Sequence, residues 1–255
     1  MRNIKLIIEY DGKLYNGWQK QPGKANIQGE IENAIFKVTG ETVDLIGSGR
    51  TDAGVHALGQ VANFKLENSN LAIDKMAMAI NSQLKPTIRI KKAYEVEERF
   101  HSRYNAKKKT YRYVINNSEI PSAIYRGMQY HFKMPLNVKE MEKAAKYLEG
   151  EHDFKAFKSS GTSSKTSVRT IYEAKVYKEN REGMNLVIIE LTGNGFLYNM
   201  VRIISGTLLE VGTGKLKAED VKNILESKDR KNAGKTLPAN GLFLVNVFYE
   251  GDTNE

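Results

Sequence analysis

The sequence predicts an α+β fold built from two halves with a similar rhythm of strand and helix. Three observations lead there. Short alternating runs, such as Ile4-Lys5-Leu6-Ile7-Ile8-Glu9-Tyr10, carry the period of a half-buried strand. Between such runs, apolar residues fall at helical spacing, as with Ile27, Ile31, Ala34, Ile35 and Val38. The same alternation of strand and helix then returns in the second half of the chain.

The first strand, Ile4 to Tyr10, is broken by Asp11-Gly12, and a Gly- and Gln-rich loop runs on to Gly23. The helix that begins near Ile27 is ended by Gly40, because glycine readily takes the left-handed conformation of a helix end. Val43 to Ile46 and Val61 to Leu66 read as strands on either side of a loop from Gly47 to Gly59. A second helix covers Leu71 to Leu84 and stops before Pro86, since a proline pushes the residue before it out of the α region. Ile88 to Val96 is another strand.

In the second half, Tyr111, Tyr113 and Ile115 share one strand face. Asn137 followed by Glu140 makes a helix start, with Val138, Met141, Ala145 and Leu148 on one side and Gly150 closing it. Strands follow at Val168 to Tyr177 and Leu186 to Leu191. Asn199 to Val211 is almost wholly apolar and so predicts a buried helix. A last helix spans Ala218 to Ser227, and Leu242 to Tyr249 is the final strand. Ser159 to Thr166 is small, polar and periodless, as a surface loop is. Each half, 1–104 and 105–255, resembles the split strand–helix–strand unit of ferredoxin-like and RNA-recognition folds, and the two are expected to fuse into one unit. No residue-level repeat links them.

Composition narrows the function. With 40% hydrophobic and 27% charged residues the chain has the make-up of a globular protein. No run approaches the roughly 20 apolar residues that span a bilayer, and the start lacks a signal-peptide pattern. Cysteine is absent, which excludes disulfides, thiolate chemistry and cysteine-held metal. A cytosolic, cytoplasmic protein is expected. Lys and Arg total 39 against 30 Asp and Glu, a formal charge of +9, and such a balance attracts polyanions, nucleic acid first among them.

The loop Gly47-Ser48-Gly49-Arg50-Thr51-Asp52-Ala53-Gly54-Val55-His56-Ala57 stands out. Its glycines permit positive φ and close approach of a ligand, and they frame one cation and one anion. Three readings compete: a tight turn with a surface ion pair, a phosphate cradle, and a catalytic aspartate held by arginine. The cradle lacks the Gly-Lys-Ser/Thr ending and following helix of a P-loop. The four histidines are widely spaced, and no His-x-x-x-His pair suggests a metal site. His56 is read as structuring the loop or touching RNA, and Trp18 as structural.

The run from Gly49 to Ala57 resembles the catalytic signature of the TruA family of tRNA pseudouridine synthases. Other stretches agree in order and spacing: Ile8-Glu9-Tyr10-Asp11-Gly12 with Gly17-Trp18-Gln19, Phe100-His101-Ser102-Arg103-Tyr104, Tyr111-Arg112-Tyr113, Gly150-Glu151-His152-Asp153-Phe154, Asn199-Met200-Val201-Arg202 and Gly241-Leu242-Phe243-Leu244-Val245. The segments Ser122 to Gly127 and Gly234 to Asn240 depart from the family pattern. The resemblance implies an isomerase that converts uridine to pseudouridine at positions 38 to 40 of the tRNA anticodon stem-loop. It implies two RNA-recognition-like halves forming one continuous, mostly antiparallel sheet flanked by helices, and a homodimer. It places Asp52 as the catalytic nucleophile, Arg202 as the arginine paired with it, and Arg50 as the arginine that helps extrude the nucleotide. Tyr111 becomes the tyrosine stacked on the target base. Phe100, His101, Ser102, Arg103, Tyr104 and Lys165 fall on stretches that touch tRNA.

The residue types suit that reaction. Breaking the bond between ribose and uracil N1 and rejoining at C5 conserves every atom, so no cofactor or metal is expected. A nearby guanidinium keeps a carboxylate ionised. A uridine in a stacked stem must be flipped out at a cost of a few kcal/mol, which stacking on an aromatic ring helps to offset. Lys107, Lys108 and Lys109 are either a solvated charge run or phosphate contacts beside a cleft. The alternative is a non-catalytic RNA-binding protein of the same fold.

Overall fold

The computed structural model describes residues 1–161 and 166–252. In chain order its elements are β1 (Arg2–Tyr10), α1 (Ile27–Thr39), β2 (Ile46–Gly47), β3 (His56–Leu66), α2 (Ile73–Gln83), β4 (Ile88–Val96), β5 (Lys108–Asn116), β6 (Tyr130–His131), α3 (Val138–Lys146), β7 (Gly150–Asp153), β8 (Val168–Arg181), β9 (Met184–Gly193), α4 (Met200–Gly212), α5 (Asp220–Ser227) and β10 (Leu242–Phe248). The fold is α+β. It divides into two compact units, Met1–Lys107 with Phe243–Glu255, and Lys108–Leu242.

In the first unit the strands lie in the order β4-β1-β3, with β2 antiparallel to β3 on its far side, as the split strand–helix–strand pattern requires. β10 also joins β3, in parallel, pairing Phe243 with His56 and Leu244 with Ala57. Alternation along β1 buries Ile4, Leu6, Ile8 and Tyr10, and α1 and α2 contribute Ile27, Ile31, Ala34, Ile35, Met76 and Ile80 to the core. Helix α1 starts where the Asn26 side chain accepts the Gly29 N–H and ends at Gly40, whose φ is +74°.

The second unit orders its strands β5-β9-β8-β7, all antiparallel, with the short β6 parallel to β5. Tyr113 and Ile115 are fully buried on the face they share with Tyr111. Met141, Ala144 and Ala145 are buried on α3, which packs against α4, of which nearly every residue is buried.

Three expectations need correction. Of the strand expected at Val43 to Ile46 only Ile46 pairs with a neighbour, together with Gly47 from the expected loop; Val43 and Leu45 are buried by their side chains without a ladder. β3 begins at His56 rather than Val61, so the catalytic-looking loop is shorter than its glycines suggested. Gly59, which broke the apolar pattern, sits inside the strand, and it must be glycine because a Cβ there would lie 2.4 Å from the Val245 carbonyl oxygen. Gly150 does not close α3, which ends at Lys146; with φ +102° it opens β7.

Candidate active site

The loop between β2 and β3 rests on the connection from β1 to α1. Trp18 N–H donates to the Thr51 carbonyl at 3.0 Å, and Gly54 N–H to that of Tyr15 at 3.4 Å. The hydroxyls of Tyr10 and Thr51 are 2.7 Å apart and buried. Burial, partly offset by the Thr51 hydrogen bond, pushes the Tyr10 phenol pKa well up, so it stays neutral. Two glycines make the approach possible. A Cβ on Gly12 would lie 2.0 Å from the Val55 oxygen, and one on Gly17 2.5 Å from the Thr51 oxygen and 3.1 Å from the Asp52 carbonyl carbon. Beneath β2, Trp18 occupies the space a Cβ on Gly47 would need.

Within the loop, Val55 N–H donates to the Asp52 carbonyl at 3.1 Å, turning the chain so that Asp52 is half-buried at its crest. Gln60, fully buried, anchors the near side by accepting from the Ser48 hydroxyl at 2.7 Å and donating to the Gly49 carbonyl at 3.0 Å. His56 anchors the far side. Its Nδ1 accepts the Gly12 N–H at 3.2 Å and lies 3.1 Å from Asp11 Oδ1, while its ring stacks on Phe243 at 4.8 Å. Of the two sequence readings of His56, structuring the loop or touching RNA, these contacts agree with the first, and the packing of Trp18 under Gly47 agrees with a structural role.

Arg50 is exposed beside Asp52 in sequence and is held by a chain of amides. Its Nε donates to Gln19 at 3.0 Å, Gln19 Nε2 to Gln28 at 2.9 Å, and Gln28 Nε2 to Glu32 at 3.1 Å. Sequence reading missed this chain. Gln28 sits on α1 next to a polar run and looks like a surface residue, yet it is only 7% exposed.

Arg202 and Tyr111 belong to the second unit. Arg202 is half-buried on α4, which carries one cation and one anion in thirteen residues. Its Nε donates to the Leu237 carbonyl at 2.6 Å and its Nη1 to Asn199 Oδ1 at 2.7 Å. Leu237 reaches it because the chain after α5 lies against the helix at Gly206, where a Cβ would meet the Lys235 oxygen at 1.9 Å. Tyr111 is 9% exposed, its ring and that of Phe196 forming a T-shaped pair with centroids 5.0 Å apart.

The candidate RNA contacts differ in what they can reach. Arg103 and Tyr104 are exposed on one turn, where His101 and Tyr104 rings lie 4.1 Å apart and the Arg103 guanidinium is 6.0 Å from the Tyr104 ring. Lys107 is exposed near Glu250 at 3.6 Å. Phe100 is half-buried against Tyr249. Ser102 is fully buried: its hydroxyl donates to the Ile46 carbonyl, its N–H to Asn63, and its carbonyl accepts from Tyr249. Its side chain fixes β2 from within the fold. Lys165 lies outside the described residues. Among the described residues no three His, Asp or Glu side chains are placed to hold a metal ion, and no helix is long and apolar enough to cross a membrane.

A family model described as tRNA pseudouridine synthase matches residues 6–105 and 144–250. The chain is 54% identical to tRNA pseudouridine synthase A of Acetivibrio thermocellus over 249 residues, 98% of this chain and 100% of that one. It is 53% identical to the protein of that name from Caldicellulosiruptor saccharolyticus, and 51% identical to tRNA pseudouridine synthase A 2 of Clostridium perfringens, with the same coverage. A crystal structure of a Cbf5-Nop10-Gar1 complex aligns with 95% of this chain and 59% of its own at 12% identity and a TM-score of 0.34, too slight a likeness to bear on the fold.

Proposed function

This chain belongs to the tRNA pseudouridine synthase family, and from that premise we propose that it isomerises uridines 38 to 40 of the anticodon stem-loop through the carboxylate of Asp52. The observation that carries the reading is the support under that residue. Gly12 and Gly17 let one backbone segment seat directly against another, and Thr51, Gly49 and His56 are each tied down around Asp52. A carboxylate on so fixed a loop is held where charge develops, without reorganising during reaction.

In this reading Asp52 engages the uridine as its N1–C1′ bond breaks. The uracil turns, its C5 bonds to C1′, and the C5 proton is released while N1 gains one. The product has the atoms of the substrate, so no cofactor takes part. Arg202 keeps Asp52 ionised, and Tyr111 stacks on the flipped base. Arg50, parked on Gln19, fills the gap left in the stem. Exposed Arg103, Tyr104 and Lys107 meet the RNA backbone, with His101 and Phe100 supporting them. The protein acts in the cytoplasm as a homodimer.

The test is to incubate purified protein with an unmodified tRNA transcript and map pseudouridine by position. Product confined to 38–40, and absent with Asp52→Asn, supports the reading. Product elsewhere removes the assignment of the anticodon arm, and product with Asp52→Asn removes the assignment of Asp52. Binding without product in the parent protein would favour an RNA-binding role alone.

A further inference from the structure

We infer that Asn199 is a positioning residue for Arg202, holding its guanidinium in one plane before substrate arrives. The inference rests on the reading of Arg202 as part of the site. Asn199 stands at the start of α4 with φ +61° and ψ 5°, one of three non-glycine residues with positive φ among those described. Asparagine at a helix start ordinarily turns its side-chain oxygen onto a backbone N–H of the first turn. Here the side chain makes no such bond. Instead Oδ1 accepts from Arg202 Nη1 at 2.7 Å, and Nδ2 donates to the Ser159 hydroxyl at 3.1 Å. The helix loses its usual cap and the backbone takes a sparsely populated conformation, and what results is a hold on one arginine.

That hold is one of two. Leu237 accepts from Nε at 2.6 Å, so acceptors on two sides fix the guanidinium plane. Among the described residues of its own unit, Nη2 makes no hydrogen bond. Asn199 is steadied in turn, because Ser159 N–H donates to the Tyr198 carbonyl at 3.2 Å and keeps the hydroxyl in place. An arginine so held has lost its rotamer freedom already in the free enzyme, which favours the step in which it must act.

The decisive variant is Asn199→Gly, because glycine adopts the left-handed conformation without strain and removes only the amide. Its melting temperature is expected to match or exceed the parent's. Its kcat should fall about tenfold, the size of one hydrogen bond to a charged group, with KM unchanged. The acid limb of its rate profile should move to higher pH, since a loosely held cation keeps the Asp52 carboxylate ionised less effectively. Combined with Arg202→Met, Asn199→Gly should cost nothing further. Parent kcat in Asn199→Gly, while Arg202→Met is slow, overturns the inference. Parent kcat in Arg202→Met overturns the reading of Arg202 itself. An equal further loss in the double variant shows that Asn199 acts elsewhere, and also overturns it. Should Asn199→Gly melt below the parent, Ser159→Ala decides, since it leaves that backbone untouched: lower kcat at constant KM supports positioning, and parent kcat overturns it.

Discussion

Alanine at Gly17 should damage catalysis out of proportion to stability, and alanine at Gly23 should do the reverse. Both glycines have positive φ, +90° and +71°, and an L-residue there costs about 1–2 kcal/mol. They differ in what the new methyl would meet. At Gly23 nothing lies within 4 Å; at Gly17 the Thr51 oxygen is 2.5 Å away and the Asp52 carbonyl carbon 3.1 Å. The gap between 2.5 Å and the roughly 3.4 Å of ordinary contact obliges Thr51 to retreat by about 0.9 Å, and Asp52 follows it in the chain. A misplacement of about 1 Å at a reacting group costs on the order of a hundredfold in rate. For a chain of this size about 1 kcal/mol lowers the melting temperature by roughly 2–4 °C. Gly23→Ala should therefore melt about 2–8 °C below the parent and turn over at the parental rate. Gly17→Ala should melt lower still and lose about a hundredfold in single-turnover release of tritium from C5-labelled uridine in tRNA. If Gly17→Ala retains the parent's single-turnover rate, the idea that this glycine sets the position of Asp52 is wrong.

Other outcomes follow from the same geometry. Asp52→Asn should yield no pseudouridine while gel-shift affinity for tRNA stays within about threefold, because binding rests on the basic surface; turnover in that variant would refute the assignment. Gln19→Ala frees Arg50 from its amide chain and should raise KM for tRNA a few-fold with kcat little changed, and a selective fall in kcat would contradict that. The Ser167 hydroxyl, 2.5 Å away, holds the Asp153 carboxyl below its ordinary pKa, with Lys228 at 3.3 Å assisting. A carboxyl depressed in the folded state contributes stability above its unfolded pKa of about 3.9 and loses it as pH falls through the folded value, so Asp153→Asn should lower the melting temperature at pH 7 and matter less at pH 3. Exhaustive EDTA treatment should leave activity on folded tRNA unchanged, whereas binding should weaken steeply with added salt; activity restored by a transition metal but not by magnesium would defeat the proposed chemistry.

The most legible parts were those where one physical signal sufficed. Alternation in β1 and helical spacing in α1 each report a single buried face, and both elements lie where the pattern placed them. The close packing of the loop that carries Asp52 was legible because glycines crowd around it, and glycine is needed chiefly where backbone must come close. What the sequence hid were residues whose role depends on a distant partner. Gln28 reads as helix surface until the Leu45 carbonyl is brought to it. Gly59 reads as a loop residue until the Val245 carbonyl lies across it. Asn199 reads as the first residue of an apolar helix, and that pattern does not reveal that its Oδ1 accepts from Arg202 while its Nδ2 donates to Ser159. Ser102 sits in an exposed-looking run and is buried by three hydrogen bonds to residues 39 to 147 positions away.

These placements divide the proposed site residues by how they are held. Asp52 is positioned by backbone: its neighbours Thr51 and Gly54 bond to main-chain groups of the β1–α1 connection, and the contacts that seat them exist only because Gly12 and Gly17 lack a side chain. Arg50 and Arg202 are positioned by side-chain amides, Gln19 in one case and Asn199 in the other. The difference follows from reach. A carboxylate on one methylene goes where its own backbone goes, so precision must be built into the chain beneath it. A guanidinium stands on a flexible stem of several bonds, so a fixed backbone leaves it free, and precision must come from acceptors near its tip. Substitutions beneath Asp52 should therefore disturb fold and rate together, whereas substitutions of the two amides should change rate or affinity and spare the fold.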